Sequence, residues 1–335
     1  MDADCIKLTS YLGGRHPGDG LIDLYCQHDL AAVIVLRSHG SGLRIGRSAE
    51  LPLTAIAVGT RPSIETVLDR ARQLEVPGVF TREHVRLLSE KITPVGIADK
   101  AGEATRMTVY FGRQDSVYAV PAFEVICETL HRRGIAGATV LAGVDGIAHG
   151  RRQRAQFLGS HADLPMMIVA VGSGDHIDQA LPELGGLLRR PLITLEQVRV
   201  CKRDGKLLRR PEQAAGVDDH GFARWQKLTV YTSEAAQHDG QPVHRAIVRR
   251  LGSAGINGVT THAGIWGFHG DRPPHGEHFL QRGHHVPAVI TVLGTAERIS
   301  AAFDVIDELT GERGLVTSET VAVARAAASS AGQRR

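Results

Sequence analysis

Between residues 105 and 112 the chain alternates Met107, Val109 and Phe111 against Thr108 and Tyr110, the period-two pattern of a strand with one face on a core. The period then changes. In PAFEVICETLHRRG, Phe123, Ile126 and Leu130 fall along one helical face, with Pro121 suited to the helix start and Gly134 to its end. IAGATVLAG (135–143) and MMIVAVG (166–172) read as two further strands. Asp175 can cap a second helix running to about Leu188, with Pro182 straining its middle, and TLEQVRV (194–200) is a fourth strand.

The order β-α-β-β-α-β is the split βαβ, or ferredoxin-like, plan. Both helices then cover one sheet face, so the other should be wet and its strands should alternate. The third strand does not: MMIVAV is apolar at both parities, so something else must cover the open face. The rest of the chain supplies candidates, because the pattern recurs. RMTVY (106–110) is matched by KLTSY (7–11) and KLTVY (227–231). LPMMIVAVGS (164–173) is matched by LPLTAIAVGT (51–60) and VPAVITVLGT (286–295). Thr194, Glu196 and Val198 are matched by Thr81, Glu83 and Val85 and by Thr317, Glu319 and Val321. Proline-to-threonine distances are 29, 29 and 30 residues, and tyrosine-to-proline distances 41, 55 and 56, so the first copy is shorter in one place.

A repeat decides the fold before other considerations do. The expected class is α+β: three ferredoxin-like βαββαβ repeats packed as an intramolecular pseudo-trimer, each covering the others' open faces. The competing arrangement is three beads with separate cores. The expected boundaries are repeat 1 at 1–90, repeat 2 at 104–202 and repeat 3 at 224–326. Linkers would occupy 91–103 and 203–223, and a disordered tail 327–335. The Thr-x-Glu-x-Val stretches read as structural, their threonines starting the last strand of each repeat.

Bulk properties narrow the function. The 335 residues contain no apolar run near the ~20 residues of a membrane span, and MDADCIKLTSY carries no signal-peptide pattern, so a cytoplasmic protein is expected. The four cysteines (Cys5, Cys26, Cys127, Cys201) have no CxxC spacing, which argues against a disulfide framework or zinc knuckle. A net charge of +3 and 4% aromatic residues give no footprint for nucleic acid.

RGIAGATVLAGVDGIAHG (133–150), with RMTVYFG before it and DLPMMIVAVG after it, resembles the PII-like family catalogued as domain of unknown function 190. AGINGVTTHAGIWGFHG (254–270) resembles it nearly as well, and VLRSHGSG (35–42) is a worn version. The resemblance implies ferredoxin-like subunits assembled as homotrimers, adenine-nucleotide sites in the clefts between subunits, and a mobile loop after the second strand. It also implies a regulatory role, often alongside a CrcB-type fluoride channel. A fused triple copy departs from that single-domain pattern.

The loop between strands two and three holds the candidate chemistry. In copy two it carries Gly143, Gly146, His149, Gly150, Arg151, Arg152 and Arg154; in copy three Gly264, Gly267, His269, Gly270 and Arg272. Glycines let backbone N–H groups approach an anion, and guanidinium forks hold phosphate oxygens. A flexible solvated loop has the same composition. No GK[ST] follows the glycines, so this is not a Walker motif. His262, His269, His275, His278, His284 and His285 crowd copy three, and His269, His275 and His278 would serve a CutA-like divalent-metal-binding trimer, the alternative function. His275-Gly-Glu-His278 is not HExxH. Trp266 could stack on a base, anchor a partner, or simply pack. No catalytic constellation is legible.

The expected protein is a non-catalytic regulator, monomeric with internal pseudo-threefold symmetry. It would take AMP, ADP, ATP or a related nucleotide as ligand rather than as a required cofactor, and would act on a partner such as a membrane channel or transporter. Copy one keeps Arg37, Gly40, Gly42 and Arg44 but lacks the longer loop, so its cleft is expected to be weak.

Overall fold

The computed structural model describes residues 2–13, 19–38, 53–76, 78–98, 102–155, 163–213, 215–233, 235–276, 286–311 and 314–326. The first third contains β1 (Asp2–Leu12), α1 (Asp19–Gln27), β2 (Ala32–Arg37), β3 (Leu53–Gly59), α2 (Arg61–Gln73) and β4 (Gly78–Ser89). The second contains β5 (Glu103–Gly112), α3 (Ala122–Arg132), β6 (Gly137–Ala142), β7 (Asp145–Ala148), β8 (Arg151–Arg154), β9 (Pro165–Gly172), α4 (Gly174–Leu187) and β10 (Leu192–Arg203). The last contains β11 (Ala223–Ser233), α5 (Val243–Ser253), β12 (Val259–Ala263), β13 (Trp266–His269), β14 (Pro287–Gly294), α6 (Ala296–Thr310) and β15 (Leu315–Ala326). Two-residue strand pairs, such as Ser116–Val117 with Val120–Pro121, decorate this frame.

Among the described residues the strands form one large, curled antiparallel sheet with six helices on it. In the first third, β1 lies between β3 and β4, and β2 pairs the far edge of β3. The later thirds repeat these pairings. Three further contacts join the thirds: β10 with β4 at Leu192↔Ser89, β10 with β15 at Val200↔Thr317, and β15 with β4 at Ala322↔Arg82. The sheet therefore returns on itself.

This closure accounts for the strand that is apolar at both parities. On β9, Met166, Ile168 and Ala170 bury beneath α3 and α4, whereas Met167, Val169 and Val171 enter a second core that also receives Ile56, Leu36, Tyr231 and Val289. That shared core covers the open sheet faces, so the separate-bead arrangement does not hold. Cys127 lies in the core beneath α3, and Cys26 packs against the corresponding core of the first third.

The N-terminal cap of α4 differs from the expected one. Ser173 caps, its hydroxyl accepting from the His176 N–H at 3.3 Å, while Asp175 sits in the first turn. An extended residue just before the helix can aim its oxygen at the free amide, which a residue already inside the turn cannot do.

Where the three thirds of the curled sheet meet, the basic residues of the KLTSY, RMTVY and KLTVY strands face the glutamates of Thr-x-Glu-x-Val. Lys7 Nζ is 3.0 Å from Glu83 Oε2 and also bonds Glu196. Arg106 Nε is 2.7 Å from Glu196 Oε2, and its Nη2 is 2.7 Å from Glu319 Oε2 and 3.2 Å from Glu83 Oε2. Lys227 Nζ is 2.9 Å from Glu319 Oε1 and also bonds Glu83. All six side chains are at most 10% exposed. Burial pushes the Glu83 carboxyl up, but Lys227, Lys7 and Arg106 more than reverse this and hold it well below the usual carboxylate range. Burial likewise opposes ionisation of Glu196, and Arg106 and Lys7 overcome it.

Candidate functional site

After β6 the chain must cross from the second third to the first. Gly143 N–H donates to Pro165 O at 2.8 Å, Val144 N–H donates to Val35 O at 2.8 Å, and β7 then adds antiparallel to the edge strand β2 with Ile34↔Gly146 in register. Gly146 has φ +140°, and a Cβ there would lie 2.2 Å from Val33 O, so the close approach of these two backbones requires glycine. Asp145 anchors the hairpin: its carboxylate accepts from Gly146 N–H at 2.8 Å and from Arg152 Nε and Nη2 at 3.1 and 3.0 Å. Arg152 also bonds Asp23 on α1, tying the hairpin to the first third. Hydrogen bonds to Asp145, together with the bond to Asp23, outweigh burial and raise the Arg152 pKa.

The turn of this hairpin, His149 at φ +53° and Gly150 at φ +76°, overhangs a cleft of about 630 Å³ between the two thirds. Val33 and Ile34 form one wall and Phe111 and Met166 the other, and Arg189 and Arg190 stand at the entry to β10. His149 Nε2 lies 2.9 Å from Asp115 Oδ1. Tyr110 lines this cleft and also a central chamber of about 80 Å³ beside Lys7, Arg106 and Lys227. Burial pushes its hydroxyl up to about 12, so it remains a protonated donor at neutral pH.

Of the anion-binding candidates in copy two, His149 and Gly150 line the cleft. Gly143 and Gly146 serve the backbone crossing. Arg154 is exposed, with Nε 3.5 Å from Asp145 Oδ2, and Arg151 is exposed outside the cleft lining. Arg189 and Arg190 were not among the sequence candidates; the signal available was the pair of arginines in LLRRP, directly before β10.

The corresponding crossing from the last third to the second is tighter. β13 adds to β6 with Gly267↔Thr139, and a Cβ on Gly267 would lie 2.1 Å from Ala138 O. Gly264 N–H donates to Pro287 O at 2.7 Å. His269, Arg272 and His275 line a cavity of only about 70 Å³. His269 Nε2 is 3.1 Å from Asp204 Oδ1, and His275 Nδ1 donates to Pro273 O at 2.9 Å. His262 points elsewhere, its Nε2 3.2 Å from both Ser38 Oγ and Thr54 Oγ1. Trp266 packs edge-on to Phe123 at 5.8 Å. Among the described residues no group of three or more His, Cys, Asp or Glu side chains is arranged to hold a metal. His278, His284 and His285 lie outside the described residues, as do Gly40, Gly42 and Arg44 of the first loop. Among the described residues no helix is long and apolar enough to cross a membrane.

The model of one protein family, DUF190, described as uncharacterized ACR, matches residues 104–200 and again residues 225–323. Together the two matches span more than half of the chain, and each covers one run from the start of β5 or β11 to the end of β10 or β15.

Proposed function

The chain belongs to the DUF190 family, and on that premise we propose that it is a PII-like, non-catalytic signalling protein. It comprises three ferredoxin-like copies in one chain, packed as a pseudo-trimer. It binds an adenine nucleotide in the cleft between its first two copies and relays occupancy through hairpin 145–154. The recurring strand pairings and the ring of three basic residues against three glutamates support the three-copy reading, including for the first third, which the family model does not match.

The observation that carries the functional reading is the 630 Å³ cleft itself. Its volume lies in the range of small-molecule sites, roughly 300–1,000 Å³. Its walls are apolar where a base would lie, and Arg189 and Arg190 stand where guanidinium forks can meet phosphate oxygens. Among the described residues, the cavity under the corresponding hairpin of the third copy is lined by that copy alone and, at about 70 Å³ and with His269 beside Asp204, is too small for a nucleotide. The proposed stoichiometry is therefore one nucleotide per chain, in the cleft between the first two copies. The hairpin over the occupied cleft is the element whose order a partner would read. A cytoplasmic monomer acting on a membrane channel is the setting that the family resemblance suggests.

Equilibrium dialysis of the full chain against ATP, ADP and AMP tests this. One saturable site is expected, with Arg189→Ala/Arg190→Ala weakening it at least tenfold, since charge-assisted hydrogen bonds contribute about 1.5–3 kcal/mol each. Undiminished affinity in the double variant, or three equal sites, would overturn the reading.

A further inference from the structure

Along β5 the order Glu103, Arg106, Tyr110 places the ring of charge between two spaces: the central chamber on the tyrosine side and a groove of about 480 Å³ on the Glu103 side. The ring's carboxylates, Glu83, Glu196 and Glu319, face that groove, and the segment 212–224 between the second and third copies walls it. Asp218 shapes this wall, its Oδ1 accepting from the His220 and Phe222 N–H groups at 2.9 and 2.8 Å.

The lysines and the arginine of the ring all bond Glu83 through Oε2. Oε1 of the same carboxylate is buried and has no hydrogen-bond partner among the described residues, in a side chain only 5% exposed. Gln226, 1% exposed and lining the same groove, likewise has a buried Oε1 without a partner among the described residues, its Nε2 donating to Thr320 at 3.0 Å. A buried acceptor without a donor is costly, and doubly so when it belongs to an ionised group. The groove's own cations point to other partners. Arg199 bonds Glu212, Arg224 lies 3.9 Å from Asp219, and Arg82 stacks 4.7 Å over the Phe222 ring beside Glu65. An anion entering here would meet the ring carboxylates. A ligand rich in N–H donors and carrying positive charge would satisfy them.

We infer that this axial groove is a second binding site, distinct from the cleft, for a small aliphatic di- or polyamine, one ammonium donating to Glu83 Oε1. Glu103 lies on the same wall to receive the other end. The site lies where all three copies meet, so an amine bound there would stiffen the assembly as a whole.

Isothermal titration of the full chain with putrescine and spermidine, at about 0.15 M salt to suppress diffuse charge attraction, tests the inference. One saturable site is expected, together with a thermal midpoint that rises with amine concentration as binding to the native state alone requires. Glu103→Gln should weaken binding several-fold. Glu83→Gln should weaken it tenfold or more; should that variant not fold, Glu103→Gln and Gln226→Leu carry the test. Absence of saturable binding at millimolar amine, unchanged affinity in Glu103→Gln, or inorganic phosphate competing for the site would each overturn the proposal.

Discussion

Replacing Arg106 with methionine keeps the length of the side chain and removes its charge from the centre of the molecule. In the native ring Arg106 alone touches all three glutamates, whereas Lys7 and Lys227 touch two each. The variant leaves Glu83, Glu196 and Glu319 facing only two lysines. Breaking a buried ion pair from one side costs about 3–5 kcal/mol because a charge is left uncompensated. At roughly 2–4 °C per kcal/mol for a large domain, this lowers the thermal midpoint by about 10 °C. The pH dependence should change sign as well. In the native protein the Glu83 and Glu196 pKa values are depressed, so their contribution is complete above the unfolded value of about 4.3 and is lost as pH falls through the folded values. In Arg106→Met one carboxylate is in excess and its folded pKa rises above the unfolded value, so the variant should gain stability as pH falls from 7 to 5. Urea titrations at several pH values measure both effects. Adding Glu196→Gln to Arg106→Met restores two charges of each sign and should recover much of the loss. A loss below about 1 kcal/mol, or a double variant no better than the single, would refute the account of the ring.

Other substitutions test how the functional segments are built. Gly146→Ala places a Cβ against Val33 O at a φ of +140°; hairpin 145–154 should detach from β2, seen as faster amide exchange across 144–154 with α5 and α6 unchanged. Ser173→Ala should cost about 1 kcal/mol through the lost cap of α4, and Asp175→Ala only a few tenths; equal losses in chemical denaturation would mean that Asp175 shares the capping.

Much of the frame was legible because it is written in short-range periodicity. The strand of Met107, Val109 and Phe111, the helix from Pro121 to Gly134 and the doubly apolar third strand depend on neighbours within a dozen residues, and each is found where the pattern puts it. One of the partners of Glu196, by contrast, is Lys7, 189 positions away. Nothing in either segment says that a lysine in one repeat's first strand meets a glutamate in another's last. That pairing exists only once the sheets close. Yet both residue types recur at the same place in each third of the chain, and a charge repeated on an inward-facing strand position calls for an opposite charge repeated equally often.

The loop arginines teach the complementary lesson. Composition treats Arg151, Arg152 and Arg154 alike, but a strand sends alternate side chains to opposite faces. In the hairpin, Arg152 and Arg154 share the side of Asp145, and Arg151 takes the other. The nearby glycines were open to two uses, approach to an anion or approach to another backbone, and the sequence does not separate them because both need the same missing Cβ. At Gly146 and Gly267 the atoms that a Cβ would strike are the carbonyls of Val33 and Ala138, so what these positions admit is a neighbouring strand. Arg189 and Arg190 line the same cleft from the segment before β10, outside the loop that holds the other candidates, and only the arginine pair in LLRRP marks them. The cleft is thus lined by residues at the rim of the crossing, His149, Gly150, Arg189 and Arg190, while the glycine-rich segment between the second and first thirds of the chain fixes how far apart its walls stand.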